Sequence, residues 1–402
     1  MSILNYFKRS EQKADPYELL ESMGLGSPTA SGQHVNSNTA QSLPSVYCAV
    51  ATIAEAIASM PIHVFRRGAT GKERLARHNI ERLLNSAPNA YQTAYDFKIS
   101  MLRAVLLRGN AFALINFDGS GKPSSLRWLH PDSVRVEMLT NGRLGYTCTG
   151  INGKVRKLLQ EEVLHIKHHS DDGILGKSPI TVCREAVGIE LASLEHGAET
   201  FKNAARLSGI ISTPSQMGKP SFEMLKKAIK EGYTTKGNRG KALVIPLDIK
   251  YQQLSMSNQD AEWIESRKLG ISEIARMFKI SPIFLMDYSN STYSNFSEAS
   301  RAFVTQTLRP WLSNIQEGLA SRLISDSNRS TMMIEFETKD LMRASAEERF
   351  KAYDIAIRMG FMNPNECRAA ENMPPREGGE LYSQSWMQQD QAQAESTEQK
   401  TD

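Results

Sequence analysis

The sequence predicts an α+β subunit with an elongated plan, and three observations carry that expectation. Strand-like runs divided by Gly/Asn/Asp turns crowd residues 91–170. Two long helical stretches with apolar residues three and four apart flank the insert 207–258. A third, from about Asn295 to Leu323, repeats that spacing through Phe296, Ala299, Phe303, Thr307, Trp311, Ile315, Leu319 and Leu323. At 1.5 Å per residue it is on the order of 40 Å long, more than a compact domain needs.

Taken in order, residues 1–42 are polar and Ser/Asn/Gly-rich ("GSPTASGQHVNSNTAQS"), which predicts a flexible, loosely held N-terminal arm. Residues 43–177 open with a helix at "LPSVYCAVATIAEAIASMP", stopped before Pro61, and a strand at "IHVFRR". A second helix, "AYDFKISMLRAVLLRG", precedes the strands "NAFALINFD", "SLRWLHP", "SVRVEML" and "EVLHIKHH", an α+β region with mostly antiparallel pairing. Ser178 as N-cap and Pro179 at the first helical position open a helix to residue 206. Its seam of Val187, Leu191, Leu194, Ala198, Phe201 and Ala205 is a heptad-like stripe, which suits either a core contact or a helix–helix contact within a ring.

The insert 207–258 combines the strand "GIIST", the helix "SFEMLKKAIKEGY" and the extended pieces "ALVIP" and "IKYQQLSM". It collects Lys226, Lys227, Lys230, Lys236, Arg239 and Lys241, a solvated face or a dock for an acidic partner or phosphate backbone. A helix over 259–280 and a polar loop over 281–295 follow. Pro310 should bend the third long helix, because it lacks an N–H and crowds the preceding turn. In the strand "MMIEFET", Met332, Ile334 and Phe336 alternate with Glu335 and Glu337. Two short helices occupy 343–380. The first carries a Ser345–Glu348 capping box and stops at Gly360; the second has Asn363 as N-cap, Pro364 next and Glu366 third. The Gln/Glu/Ser-rich tail 381–402 reads as disordered.

Bulk composition narrows the function. A formal charge of +4 over 402 residues is far below the cationic density of a protein that wraps duplex DNA tightly. The four cysteines have no paired spacing for zinc or a disulfide framework. No signal-peptide pattern opens the chain, and no run approaches the roughly 18 apolar residues of a membrane span. The expectation is an intracellular, water-soluble product.

Three motifs invite chemistry and are better explained without it. "ISEIARMFKISPIFLMD" (271–287) resembles a helix-turn-helix, but from Ile280 to Ser300 there is no Lys or Arg to meet base edges or phosphates, while Asp287 and Glu298 are acidic. "DDGILGKS" (171–178) resembles a phosphate-binding loop, but Asp171 stands where the first Gly belongs, and Asp172 beside it would repel a triphosphate. His165, His168 and His169 cluster without the geometry of a metal motif and read as a solvated loop end. No nucleophile elbow or paired-carboxylate constellation stands out, so neither catalysis nor a cofactor is expected.

The order "SVYCAVATIAEAIASMPIHVFRR", "LRWLHPDSVRV", "GKSPI", "ESRKLGISEIARMFKISPIFLMD", "STYSNFSEASRAFVTQTLRPWLSNIQEGL" and "NMPPREGG" resembles the portal protein family of tailed bacteriophages and prophages, in its siphophage-type branch. The resemblance implies a ring, typically of twelve subunits, at one capsid vertex. It implies a wing at 43–177 with the strand near 332–338, stem helices at 178–206 and 259–280, and a clip at 207–258. It also implies a tunnel loop at 281–295, the long kinked helix and wing strand at 296–342 and a short helical crown at 343–380. Implied partners are further copies of the chain, the large terminase, a head–tail adaptor, the major capsid or scaffold protein and double-stranded DNA passing non-specifically, with no membrane. The clip dock would present Lys226, Lys227, Lys230, Lys236 and Arg239. The channel would be lined by Asp287, Tyr288, Ser289, Asn290, Ser291, Thr292, Tyr293, Ser294 and Asn295. A lip free of cations suits sliding DNA, because each cation beside a phosphate adds binding and hence friction. The rival is a nucleotide-dependent enzyme acting on DNA through the degenerate phosphate loop at Lys177.

Overall fold

The computed structural model describes residues 27–68, 71–150, 153–204, 209–212, 218–220, 222–223, 227, 250–253, 258–289, 293–338, 346–371 and 373–382. The chain divides into two compact units, residues 1–335 and 336–402.

The first unit opens with a small antiparallel hairpin, β1 (Ser27–Pro28) and β2 (His34–Val35), and one helical turn, α1 (Ser37–Ala40). This corrects the expected arm: residues 27–42 are held in place. The Asn36 side chain accepts from the Thr39 N–H (2.8 Å) while the Thr39 hydroxyl accepts from the Asn36 N–H (2.8 Å), a reciprocal cap that the polar composition concealed. Val35, Ala40 and Leu43 are buried. Residues 1–26 lie outside the described residues, so the rest of the arm does too.

Helix α2 (Pro44–Ser59) packs along α4 (Ala94–Arg108), with α3 (Asn79–Asn85) beside the sheet formed by β3 (Ile62–Gly68) and β4 (Gly71–Arg74). Both long helices bury one face: Val46, Val50, Ile53 and Ile57 on α2, Phe97, Met101, Leu102 and Val105 on α4. Two three-stranded sheets follow. Strands β5 (Asn110–Phe117) and β6 (Pro123–Leu129) join β10 (Val163–Lys167) in the order β10-β5-β6, while β7 (Val134–Met138), β8 (Leu144–Thr149) and β9 (Val155–Leu159) form a meander. Every pairing within these two sheets is antiparallel. Phe112, Leu114, Tyr146, Cys148, Leu158 and Val163 make their shared core.

After Ser178 caps the turn α5 (Pro179–Val182), Cys183 leaves helical geometry (φ −100°, ψ 25°) and α6 (Arg184–Ala204) begins afresh. The expected single helix is thus two pieces. Strands β11 (Gly209–Ser212) and β12 (Lys250–Gln253) pair antiparallel and close off the insert. The piece "ALVIP" is outside the described residues.

Helix α7 (Asn258–Phe278) leads to a 3-10 turn at Pro282–Leu285. The long helix then runs as α8 (Tyr293–Ala302), a π-helical stretch at Phe303–Leu308 and α9 (Arg309–Leu323). The interruption expected at Pro310 is taken up by the π turn just upstream, where wider winding makes room for the proline ring against the carbonyl four residues back. From Phe303 onward the stripe is buried except for the half-buried Trp311, and α9 lies on β10, with the Asn314 amide donating to the Lys167 carbonyl at 2.6 Å. Strand β13 (Met332–Phe336) completes the β3/β4 sheet in the order β13-β3-β4.

In the second unit α10 (Ala346–Arg358) and α11 (Pro364–Ala370) are clamped by Glu371, which accepts from Arg349 Nε (2.9 Å) and the Tyr353 hydroxyl (3.0 Å). The capping box read at Asn363 and Glu366 is present; Ser345 and residues 383–402 lie outside the described residues. Among the described residues no helix is long and apolar enough to cross a membrane.

Candidate functional site

Helices α6 and α7 run antiparallel. Trp263 Nε1 donates to the Ser193 carbonyl (2.9 Å) and its ring sits where a Cβ on Gly197 would be, while Arg267 Nη1 donates to Glu190 Oε1 (2.8 Å). Gly270 leaves the space that the Glu190 carboxylate fills. The facing edge of α6 is therefore Glu190, Ser193 and Gly197 rather than the heptad stripe; of the stripe's described side chains Val187 is buried, Leu191 half-buried, and Leu194 and Ala198 exposed in the subunit, while Phe201 and Ala205 lie outside the described side chains. An indole needs a residue without a side chain opposite it, and that requirement overrode the apolar spacing. Burial pushes the Glu190 carboxyl above its ordinary value, with Arg267 opposing and Glu273 adding to the rise.

Helix α7 ends in a Schellman turn: Lys279 is left-handed (φ 54°), and the Ile280 N–H returns to the Ala275 carbonyl at 2.9 Å. The Thr307 hydroxyl of the π segment donates to the Lys279 carbonyl, and the Cys48 thiol of α2 reaches the Phe284 carbonyl at 3.4 Å. Phe284 packs on Phe303 with ring centroids 4.7 Å apart. Ile280, Ile283 and Leu285 are buried, so this break is pinned from two sides and carries no second helix of the kind that reads DNA.

Beyond it the chain turns outward. Met286 is left-handed (φ 63°), and both Met286 and Tyr288 are exposed. Asp287 accepts from the Ser289 hydroxyl (2.6 Å) and amide (3.1 Å), which hold its carboxyl below the usual carboxylate range and hence ionised. Of the expected loop residues, Asp287, Tyr288 and Ser289 stand together here. Asn290, Ser291 and Thr292 lie outside the described residues. Tyr293, Ser294 and Asn295 already belong to the backbone of α8, so the loop is shorter than expected. Ser and Asn disfavour helix by only several tenths of a kcal/mol, which neighbouring helix outweighs. Of the basic insert, Lys227 is exposed on a helical segment, whereas Lys226, Lys230, Lys236, Arg239 and Lys241 lie outside the described residues.

The phosphate-loop candidate is engaged by the protein itself. The Ile174 and Leu175 amides donate to Asp172 Oδ1 (2.7 and 3.0 Å), the Gly176 amide to Asn110 Oδ1 (2.7 Å) and the Lys177 amide to the His168 and His169 carbonyls (3.0 and 2.8 Å). Four successive N–H groups that would cradle phosphate are thus committed, and Lys177 itself pairs with exposed Asp171. Lys177→Ala is expected to change stability by no more than about 0.5 kcal/mol, as an exposed pair contributes little; thermal melts check this.

Of the three histidines only His169 is exposed; His165 and His168 are not part of a solvated end. His165 is buried, donating from Nε2 to Asn110 Oδ1 (3.0 Å) and accepting at Nδ1 from the Tyr146 hydroxyl (3.2 Å), since Asn110 Oδ1 already acts as an acceptor. Burial, with Lys167 and Arg322, drives its pKa down to about 3. His168 stacks on Trp311 at 4.7 Å and 16°, and desolvation lowers it to about 4. No described group of three His, Cys, Asp or Glu could hold a metal. The signal that could have revealed this was the apolar run Val163, Leu164 and Ile166 around His165, which marks a strand buried on both faces.

Small antiparallel sheets, a helix pair ending in a pinned break and a long helix lying on β10 define a subunit of portal type. The chain belongs to the phage portal protein family, whose sequence model matches residues 44–372. It is 26% identical over 377 residues to a protein named as the probable portal protein of Streptomyces phage phiC31, covering 88% of this chain and 80% of that one. It is 25% identical over 354 residues to the portal protein of Enterobacteria phage HK97, covering 86% and 82%. Its fold matches a chain in the neck of a native gene transfer agent particle determined with C12 symmetry, with a TM-score of 0.62, 23% identity and coverage of 84% and 92%.

Proposed function

We propose that this chain forms the dodecameric ring at the unique capsid vertex through which genomic DNA is packaged and ejected. The observation that carries this reading is the segment after α7, which turns outward from Met286: in a portal-family chain, it has no Lys or Arg from Ile280 to Ser300 and carries an ionised Asp287. Copies arranged around an axis would present a polar, weakly acidic lip to a polyanion, which lowers binding and lets the duplex slide. The ring would be passive and non-enzymatic, with the terminase supplying ATP hydrolysis. The insert carrying Lys227 would dock the large terminase and later a head–tail adaptor, and the outer wing would meet the major capsid or scaffold protein. Assembly would occur in the host cytoplasm and the product would reside in the virion. The alternative of a nucleotide-dependent enzyme has no support in the geometry around Lys177.

Electron microscopy of the purified protein tests the assembly: rings with a central hole are expected, and a persistent monomer at high concentration across several salts would overturn it. The channel assignment is tested separately. Asp287→Lys or Asn290→Lys is expected to leave rings intact and slow packaging by roughly tenfold at low salt, with partial relief at high salt, since each copy adds a cation beside the phosphates. Unchanged packaging would remove the segment from the channel.

A further inference from the structure

Helix α6 has two covered sides. Its edge at Glu190, Ser193 and Gly197 faces α7, and on the opposite side the β1–β2 hairpin reaches it through the Gln33 amide donating to Glu195 (2.6 Å) and the Ala30 N–H donating to Glu185 (3.0 Å). Two flanks are left between them. With about 100° of rotation per residue, Ile189 emerges about 70° to one side of the α7-facing edge and Leu194 about 70° to the other. On α7, Ile264 and Leu269 likewise fall on opposite sides of the edge formed by Trp263, Arg267 and Gly270. The helices run antiparallel, so rotation sense is reversed between them. Leu194 and Ile264 therefore share one flank of the pair, and Ile189 and Leu269 share the other. All four are open to solvent in the subunit, at 37%, 41%, 54% and 55% respectively.

Each flank thus carries an apolar pair, which a solitary helix hairpin has no reason to display twice. The charge patterns differ: Lys268 accompanies the Leu194/Ile264 flank, whereas Glu273 and Arg276 accompany the Ile189/Leu269 flank. A closed ring joins unlike surfaces head to tail, and two different but matching flanks are what that requires. Resting on the ring reading above, we infer that the Leu194/Ile264 flank of one subunit packs against the Ile189/Leu269 flank of the next copy. Leu194 lies five residues beyond Ile189, or about 7.5 Å along the axis. Cyclic symmetry contains no translation, so helix pairs joined in this way must lean relative to the ring axis.

The test uses the full chain with Leu194→Asp, Ile189→Lys and both together, read by electron microscopy and sedimentation, with circular dichroism to check folding. Each single variant is expected to lose rings by at least tenfold while keeping its helicity, because both sites are exposed in the subunit. The double variant is expected to recover rings, because the new acid and base then face each other across every interface. Singles that assemble normally, or a folded double variant that stays dissociated, would overturn the pairing while wild-type rings leave the portal reading standing; absence of rings in the wild type would instead defeat that reading. If the charged variants do not fold, Ile189→Cys/Leu194→Cys decides. The two positions point away from each other on one helix and cannot bridge within a chain. Mild oxidation should therefore give a ladder of linked subunits that neither single-cysteine variant nor the wild type gives; no ladder from intact rings would refute the contact.

Discussion

Gly109→Ala is expected to destabilise the first unit by roughly 3 kcal/mol, combining about 1–2 kcal/mol for a left-handed alanine with 1–3 kcal/mol for overpacking. Gly109 ends α4 with φ 75°, and a Cβ there would overlap the carbonyl carbon and oxygen of Lys177 and lie 2.6 Å from the Ser178 nitrogen. Neither neighbour can easily yield. The Ser178 hydroxyl is bonded to the Leu107 carbonyl (2.7 Å), and the Gly109 carbonyl accepts from the His168 amide (2.7 Å), so the end of α4, the end of β10 and the start of α5 meet at this point. The control is Gly121→Ala, which has the same handedness (φ 76°) and nothing within 4 Å; it should lose only the backbone part, about 1 kcal/mol. Thermal unfolding at equal protein concentration compares the two. Equal losses would show that the Lys177 backbone moves aside.

Arg267→Met is expected to cost about 3 kcal/mol at pH 8, because it strands a buried carboxylate at Glu190. The loss should depend on pH in a definite direction. Glu190 has a folded-state pKa above its ordinary value of 4.5, chiefly through burial. The folded chain therefore binds this proton more tightly than the unfolded chain, and stability falls as pH rises through the folded-state value. Removing the guanidinium, which alone opposes the rise among the groups acting on Glu190, widens that window upward. The deficit of Arg267→Met should accordingly shrink as pH is lowered from 8 towards 5, while Glu190→Gln, which buries no charge, should show little pH dependence. Denaturant melts at the two pH values decide; a deficit that grows on acidification would contradict the buried-carboxylate account.

Much of the fold was legible because its signals are local. Proline and asparagine at the start of α11, glycine after α4 and the unbroken apolar runs of β5 and β10 act within a few residues of themselves, and the structure carries each of them. Strands β4, β8 and β9 were missed. Strand β4 is exposed along its whole length, and only Leu158 of β9 points into the core, so neither displays a clear alternation. The candidate site was half legible. The lack of cations from Ile280 to Ser300 is a property of composition, whereas the pinning of the preceding break by Thr307 and Cys48 joins residues 28 and 236 positions away.

The sequence by itself determined the α+β class, the order of the pieces, the helix caps and the charge of the outward-turned segment, because propensity, capping and charge depend on near neighbours. Only the tertiary structure decided which edge of α6 meets α7, that His165 is an interior hydrogen-bonding group and that the four loop amides from Ile174 to Lys177 are committed within the protein. Those outcomes depend on what stands opposite each residue in space: an indole over Gly197, a tyrosine hydroxyl beside His165, and Asn110 and Asp172 accepting the loop's own N–H groups.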